Sequence, residues 1–422
     1  MKADYDIAIV GAGMVGASFA AALLEQAQEL GWRIALLEPQ PLENSVQAPY
    51  QPSFDSRSTA LAYGSASIYQ QLAVWEALSV RAQPIEHIHV SDRGHFGAAR
   101  LHASEERVPA LGYVVENKWL GQVLQQHLQS HRAAGCLDYL SGAVVSEVVR
   151  VDEQMQLRYS RDDSEHQLCA ELVVMADGGR SALRQKLGIS YSEQSYQQHA
   201  LICNVGVDRA HGNIAYERFT SAGPMALLPL ADEAGTARMA LVWTTPEDEI
   251  EARLALDEAA FLAQLQEAFG YRAGRFVQLG ERFSYPLKLQ RASEQVRPGL
   301  AVVGNAAHAL HPIAGQGFNL ALRGVAELAA ELFKSAHNGE SLGDYSRLLA
   351  YQEARLSDQR NTIGFSDKSM KLFAMEHRAV ILGRDLGLGL MDVCQPLKTL
   401  FSRSAMGLAS PAVNFKVGEK NA

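Results

Sequence analysis

Six residues near the start of the chain, Gly11-Ala12-Gly13-Met14-Val15-Gly16, constrain its fold more than any other segment. They follow Tyr5–Val10 (YDIAIV), a short apolar run of strand type. They open a stretch to about Leu30 in which apolar and small residues recur at helical spacing. Trp32–Leu37 (WRIALL) then reads as a second buried strand, closed by Glu38 and a break at Pro39. A glycine turn between strand and helix, with an acidic residue ending the next strand, opens a doubly wound nucleotide-binding fold. Gly11 permits the tight turn, Gly13 lets backbone approach a pyrophosphate, and Gly16 lets helix and sheet pack closely. The helix start offers unpaired N–H groups and a partial positive charge to phosphates. Glu38 is placed to accept hydrogen bonds from the adenosine ribose hydroxyls. The motif alone does not separate NAD from FAD.

Two later segments repeat the pattern of buried strand, small-residue turn and helix. In the first, a strand over Leu172–Ala176 runs out at Asp177-Gly178, and Ser181 suits the N-cap of the helix that follows. Taken singly, an Asp-Gly pair is an ordinary turn. In the second, Gly299–Val303 (GLAVV) leads into Gly304-Asn305-Ala306-Ala307-His308, then His311-Pro312, then Gly315-Gln316-Gly317-Phe318-Asn319. Small residues here let backbone lie flat against a ring system, and a helix beginning near Gly317 points its positive end at that ring. Reduced flavin carries negative charge at N1 and C2=O, which such a helix end would stabilise. His308 and His311 have no third ligand candidate nearby, so no metal site is expected.

Between these segments the pattern changes. Lys118–Gln129 looks helical, and short alternating stretches between Leu140 and Cys169 suggest an antiparallel excursion. From His199 to Tyr285 the pattern is mostly strands, with one helix around Asp257–Phe269, and everything after Gly317 is helical. A chain of 422 residues exceeds what one core usually organises. The polar stretch from Pro39 to Ser58 reads as a long functional loop. A net charge of -9 argues against a nucleic-acid partner. Cys136, Cys169, Cys203 and Cys394 have no paired spacing and suit free thiols in a reducing compartment. With no leader ahead of the first strand and no apolar run near the ~20 residues of a spanning helix, the expected location is cytoplasmic.

Together the three segments resemble the flavoprotein monooxygenases of the para-hydroxybenzoate hydroxylase type. Those carry GxGxxG early, DGxxSxxR mid-chain and GD-x-x-H-x-x-x-P-x-x-GxG-x-N late. Asp177, Gly178, Ser181 and Arg184 fit the middle pattern completely. Asp55-Ser56-Arg57, Ser91-Asp92-Arg93-Gly94-His95, Glu217-Arg218-Phe219-Thr220 and His311–Asn319 extend the likeness nearly end to end. These stretches are similar to the ubiquinone-biosynthesis hydroxylases, most of all those acting on a 2-polyprenyl-6-methoxyphenol. Asn305 departs from the wider pattern, which has Asp there. Asn keeps an acceptor oxygen and loses the charge, so FAD binding is expected to persist.

The resemblance implies an α/β fold: a Rossmann-like FAD-binding domain, an inserted sheet-based substrate domain and a C-terminal helical region. The expected divisions are 1–85, 112–188 and 285–340 for the first, 86–111 and 189–284 for the second, and 341–422 for the third. It implies that Gly11, Gly13 and Gly16 cradle the pyrophosphate and Glu38 the ribose, with Arg57 near the flavin. Asp177, with Gly178, and Asn305 would approach the pyrophosphate and ribityl groups. Pro312, Gly315, Gln316, Gly317 and Asn319 would line the isoalloxazine, and Asn117 is a weaker candidate. The implied reaction is aromatic hydroxylation with NAD(P)H and O2 through a flavin hydroperoxide, NAD(P)H binding transiently. No catalytic acid or base stands out.

The implied substrate carries a polyprenyl tail, and lipid contact or a ubiquinone-biosynthesis protein assembly would suit it. Met370–Met406 is rich in apolar residues, but Arg384 and Asp385 interrupt it, so it does not span a membrane. Packing of this stretch onto the protein core is expected, with a lipid-facing or partner-facing helix the alternative. A sibling hydroxylase with another ring position or substrate, a halogenase and a non-catalytic FAD-binding scaffold are the other readings. The Trp-x-Trp-x-Ile-Pro signature of the halogenases is absent, and the intact glycine-rich loop argues against the scaffold.

Overall fold

The structure, a computed structural model, describes residues 3–41, 57–132, 135–179, 182–233, 235–310, 315–375 and 377–409, with 413 and 415. The strand Tyr5–Val10 and the helix Met14–Leu30 occupy the predicted bounds. The second strand, Ile34–Glu38, begins two residues later than its apolar run, and the helix after it in the same layer covers Asn117–Arg132. In the first sheet the order is Val296–Arg297, Leu300–Val302, Ser164–Met175, Tyr5–Val10, Ile34–Glu38, Leu137–Ser141. Tyr5–Val10 pairs in parallel with strands on both sides, and Leu300–Val302 and Leu137–Ser141 extend the parallel run outward.

One face of this sheet is covered by the helices Met14–Leu30, Asn117–Arg132 and Gln316–His337, which bury Phe19, Leu23, Leu124, Leu328 and Phe333. Among the described residues the other face carries only the short helix Leu183–Lys186. That face packs against the antiparallel strands Val144–Val151 and Gln154–Arg161, which hang from Ser164–Met175 and bury Val148, Met155 and Leu157. The doubly wound expectation therefore gives way to helices on one side and a β-layer on the other. The predicted antiparallel excursion supplies that layer: one twelve-residue strand serves both the parallel sheet and the meander.

The second sheet has nine strands among the described residues. Its centre is Tyr191–Val207, Thr236–Pro246, Gly223–Glu233 and Ile214–Thr220, and His87–Asp92 joins its far side in parallel with Ile214–Thr220. Strand Phe283–Ala292 belongs to this sheet along its whole length, so the division drawn at residue 285 falls inside a continuous strand. The short strand His308–Ala309 adds to the same sheet immediately after the late glycine turn. Apolar residues on one face of this sheet, among them Leu201, Leu227 and Leu241, pack against Phe261, Leu265 and Phe269 of the helix Glu258–Phe269. That helix is capped by Asp257, whose carboxylate accepts from the Ala260 N–H at 2.8 Å. The opposite face is left for the site.

A small three-stranded sheet of Ser58–Ala62, Gly112–Glu116 and Gln83–Ile85 completes the strand layers. The helices Tyr345–Ala374, Arg378–Val393 and Gln395–Ala405 close the described chain. None of the described helices is long and apolar enough to cross a membrane.

Candidate active site

The three predicted turns all fall at the carboxyl ends of parallel strands. Gly11 follows Tyr5–Val10, Asp177 follows Ser164–Met175, and Gly304 follows Leu300–Val302. From Tyr5–Val10 the chain crosses to Ile34–Glu38 on one side, while Ser164–Met175 lies on the other. That divergence is the topological switch point at which open α/β sheets bind ligands.

The early glycines divide into two kinds. Gly11 has φ +100°, and a Cβ there would lie 2.8 Å from the Ala176 carbonyl oxygen. A Cβ on Gly16 would lie 1.9 Å from the Gly11 carbonyl oxygen, so helix and turn touch backbone to backbone. A Cβ on Gly13, in contrast, would meet nothing within 4 Å. Packing requires the first and third glycines, while the second faces open space. The helix Met14–Leu30 starts at Gly13 with no side-chain cap and no acidic residue in its first turn, which leaves its N–H groups and positive end available. Beside it, Glu38 accepts hydrogen bonds from the Ala12 N–H at 2.7 Å and the Gln40 N–H at 3.1 Å. Those bonds fix the carboxylate at the cavity wall.

Asp177 accepts from the Gly179 N–H at 3.0 Å, which shapes the turn, and Gly178 follows it with φ +71°. Asn305 is exposed in the 3-10 turn Gly304–Ala306. His308 is buried: its Nδ1 is 3.0 Å from the Gly304 carbonyl oxygen and its Nε2 has no partner among the described residues. Burial, with the charges of Arg355 and Arg291, holds its pKa below the usual imidazole range, so it is neutral and donates from Nδ1. Its role is to brace the turn.

Gly315, at φ +60°, caps the 22-residue helix Gln316–His337 without a side-chain bond, again leaving a bare positive end. Asn319 is buried and fully used. Its Oδ1 accepts from the Ala62 N–H, and its Nδ2 donates to the carbonyls of Ala60 and Gly315, each at 2.8 Å. It locks strand Ser58–Ala62 against the helix start. Asn117 works in a similar way, accepting from the Thr59 hydroxyl at 2.6 Å. Arg57 is exposed, with its guanidinium 5.2 Å from the centre of the Tyr285 ring, a contact that links the small sheet to the large one. Pro312 and Ser181 lie outside the described residues.

These residues share one cavity of about 1530 Å³. At one end Gly11, Gly13, Glu38, Asp177, Gly178 and Asn305 line it; in the middle are Arg57, Gly315, Gln316, Gly317 and Asn319. Gly16 does not line it and acts through packing alone. The volume exceeds the ~300–1,000 Å³ of a typical small-ligand site, so there is room for a dinucleotide and a second ligand. For the second chamber the sequence offered the C-terminal apolar stretch Met370–Met406, which includes Phe373, Leu388 and Met391. Alternate residues Ala215, Glu217 and Phe219 of Ile214–Thr220 face it, as do Ile202, Leu228 and Val242 of the neighbouring strands. Phe373, Leu388 and Met391 close it from the C-terminal helices. No alternation marks these strands: in IAYERFT the two faces mix apolar and polar residues alike, and the neighbouring strands are apolar on both faces.

A polar cluster borders the same cavity. Arg323 donates to Asp358 at 2.8 and 3.1 Å, and Arg355 pairs with the same carboxylate. Burial pushes the Asp358 pKa up, but the hydrogen bonds and charges of Arg323 and Arg355 outweigh it and hold the carboxyl below its usual range. This cluster ties the helix Tyr345–Ala374 to the helix Gln316–His337.

Two uncapped helix ends, a glycine where backbone meets open space, and an apolar chamber beyond them define the architecture of an FAD-dependent monooxygenase. Residues 4–366 match the family described as FAD binding domain, and the chain belongs to that family. It is 36% identical to "Ubiquinone hydroxylase UbiL" of Rhodospirillum rubrum, covering 95% of this chain and 89% of that one. It is 31% identical to "3-demethoxyubiquinol 3-hydroxylase" of Escherichia coli, covering 96% and 98%. Among solved structures it is similar to the p-nitrophenol 4-monooxygenase PnpA of Pseudomonas putida, with TM-score 0.73, 18% identity and coverage of 96% and 99%. The flavin-dependent brominase Bmp2 superposes almost as well, with TM-score 0.71, 15% identity and coverage of 98% and 96%. Hydroxylation and bromination thus share this fold, and the chemistry has to be argued from the site.

Proposed function

We propose that the chain hydroxylates the aromatic ring of a polyprenylated phenol in ubiquinone biosynthesis. The observation that carries this reading is the continuity of the cavity from Gly13 and Glu38, past Gly315–Asn319, into an apolar chamber. Support also comes from the names of the relatives in Rhodospirillum rubrum and Escherichia coli. Bound FAD supplies the electron transfer, fed by NAD(P)H, and the activation of O2 that side chains do not provide.

The chain's own contribution is binding, orientation and exclusion of water. Gly13 and the N–H groups of Met14–Leu30 face the pyrophosphate, with Glu38 at the ribose and Asp177 and Asn305 along the ribityl side. Gly315, Gln316 and Gly317 present backbone to the ring, and the helix they begin stabilises negative charge there. Phe219, Leu228, Phe373 and Leu388 surround the substrate ring and keep the chamber dry. In this division the FAD-binding unit is discontinuous and the large sheet forms the floor of the substrate chamber.

The deciding experiment supplies purified flavoprotein with a 2-polyprenyl-6-methoxyphenol, NADH or NADPH, and O2, and identifies the oxidised ring position by mass spectrometry and NMR. A hydroxylated quinol is expected. Peroxide formation with no oxygenated ring product would overturn the substrate assignment, and colourless protein that takes up no FAD would overturn the enzyme reading itself.

A further inference from the structure

The helix Arg378–Val393 has apolar residues on two sides: Leu388 and Met391 face the chamber, while its acidic and guanidinium groups near them are bonded inward. Arg384 donates to Asp92 at 2.6 Å with both side chains buried, Asp385 accepts from the Gly97 N–H at 3.1 Å, and Asp392 pairs with Arg100 at 2.8 Å. All of these partners lie on or between the strands His87–Asp92 and Ala98–His102. The large apolar residues the helix turns to solvent are Leu382, Leu386, Leu390 and Val393, between 53% and 80% exposed, interleaved with Gly383 and Gly387. The next helix repeats the pattern: Lys398 is buried beside Glu105, while Leu397 and Leu400 are exposed. Charges bonded inward and leucines facing out are the reverse of a water-facing helix, and such a contiguous apolar face needs a cover.

We propose that this face rests on a lipid bilayer bearing anionic headgroups, with the cavity mouth opening into it. Two observations select that cover. The chain carries a net charge of -9, yet residues 360–405 hold seven Lys and Arg against four Asp and Glu. Among the described residues there, every exposed charged side chain is basic: Arg360, Lys368, Lys371, Arg378 and Arg403. Asp367, Asp385 and Asp392 are at least half-buried and bonded within the protein. Basic residues around an apolar helical face suit an anionic interface. The second observation is that Phe365 and Leu400 are exposed and also line the cavity, with the Phe401 ring 5.8 Å from that of Phe365 and tilted 60° to it. A bilayer covering the leucines lies at the entrance of the substrate chamber, so an apolar tail passes inward without crossing water. The delivery role rests on the polyprenyl-phenol reading; the docking itself does not.

The test is flotation of the FAD-loaded protein with vesicles of phosphatidylcholine alone or with phosphatidylglycerol. Binding is expected to the anionic vesicles only, falling as salt rises. Leu386→Asp with Leu390→Asp, two residues outside the cavity lining, is expected to lower binding at least tenfold. Flavin content and turnover of a short-chain soluble phenol should stay unchanged. Arg378→Glu is expected to weaken binding about five-fold. Equal binding by wild type and the double variant, or no binding to anionic vesicles, overturns the proposal. A dimer that the double variant dissolves also overturns it, by assigning the face to a second copy. Vesicle binding without hydroxylation of a prenylated phenol leaves the docking surface standing and removes the substrate reading.

Discussion

Gly13 and Gly16 belong to one motif yet answer to different physics. A methyl at Gly16 collides with the Gly11 carbonyl oxygen, and relieving the clash moves the helix away from the strand. Gly16→Ala is expected to cost about 3 kcal/mol, read by chemical denaturation of apoprotein, and to leave the purified chain nearly colourless. Gly13→Ala meets nothing in the protein, so apoprotein stability should stay within about 0.5 kcal/mol of wild type, while FAD affinity falls at least tenfold in flavin titrations. Equal stability losses for the two variants would mean that the second glycine is structural as well. The packing role of Gly16 was legible in the sequence because the spacing of a glycine turn is local. Asn319 was not legible as a clamp. Its position in the motif implied a place beside the ring, whereas its amide is used by Ala60, Ala62 and Gly315.

Among the elements, the helix Asn117–Arg132 carries His127, whose pKa is lowered to about 4 by burial and by His131 one turn on. His89, in strand His87–Asp92, is likewise lowered to about 4 by burial and by Arg272. A histidine depressed in the folded state binds its proton in the unfolded chain first, so the unfolded state gains protons below about pH 6.5. Stability is therefore expected to be fully present above that pH and to decline as pH falls toward 4. Thermal unfolding of His127→Gln should depend less on pH over that window than wild type, and parallel profiles would exclude this histidine as a source. The helix Arg378–Val393 has its own test. Asp92→Asn leaves the Arg384 guanidinium buried without a counter-charge, a loss of about 3–5 kcal/mol for such pairs. Hydrogen exchange should then rise first in residues 378–393, and uniform exchange would deny the pair this anchoring role.

For the whole molecule, the decisive feature is that sequence-distant pieces enclose one cavity. Ala226, on strand Gly223–Glu233, lines the chamber beneath the three glycine turns. Ala226→Trp is expected to leave flavin content intact while lowering kcat/KM for the phenol at least tenfold, with NAD(P)H oxidation continuing uncoupled. Unchanged coupling would move the substrate ring away from this floor.

The sequence by itself determined the nucleotide unit and the order of its turns, because strand, glycine turn and helix are read within a few tens of residues. It also determined that a sheet-rich segment intervenes. Only the tertiary structure decided which face of that sheet meets the cavity: Leu201 and Ile202, or Leu227 and Leu228, are equally apolar, and alternation carries no information when both faces are covered. It also decided which way the helix Arg378–Val393 turns. Along the chain, Arg384 and Asp385 interrupt an apolar run. In space they meet Asp92 and Gly97, almost three hundred residues earlier, and that long-range pairing sends the leucines outward.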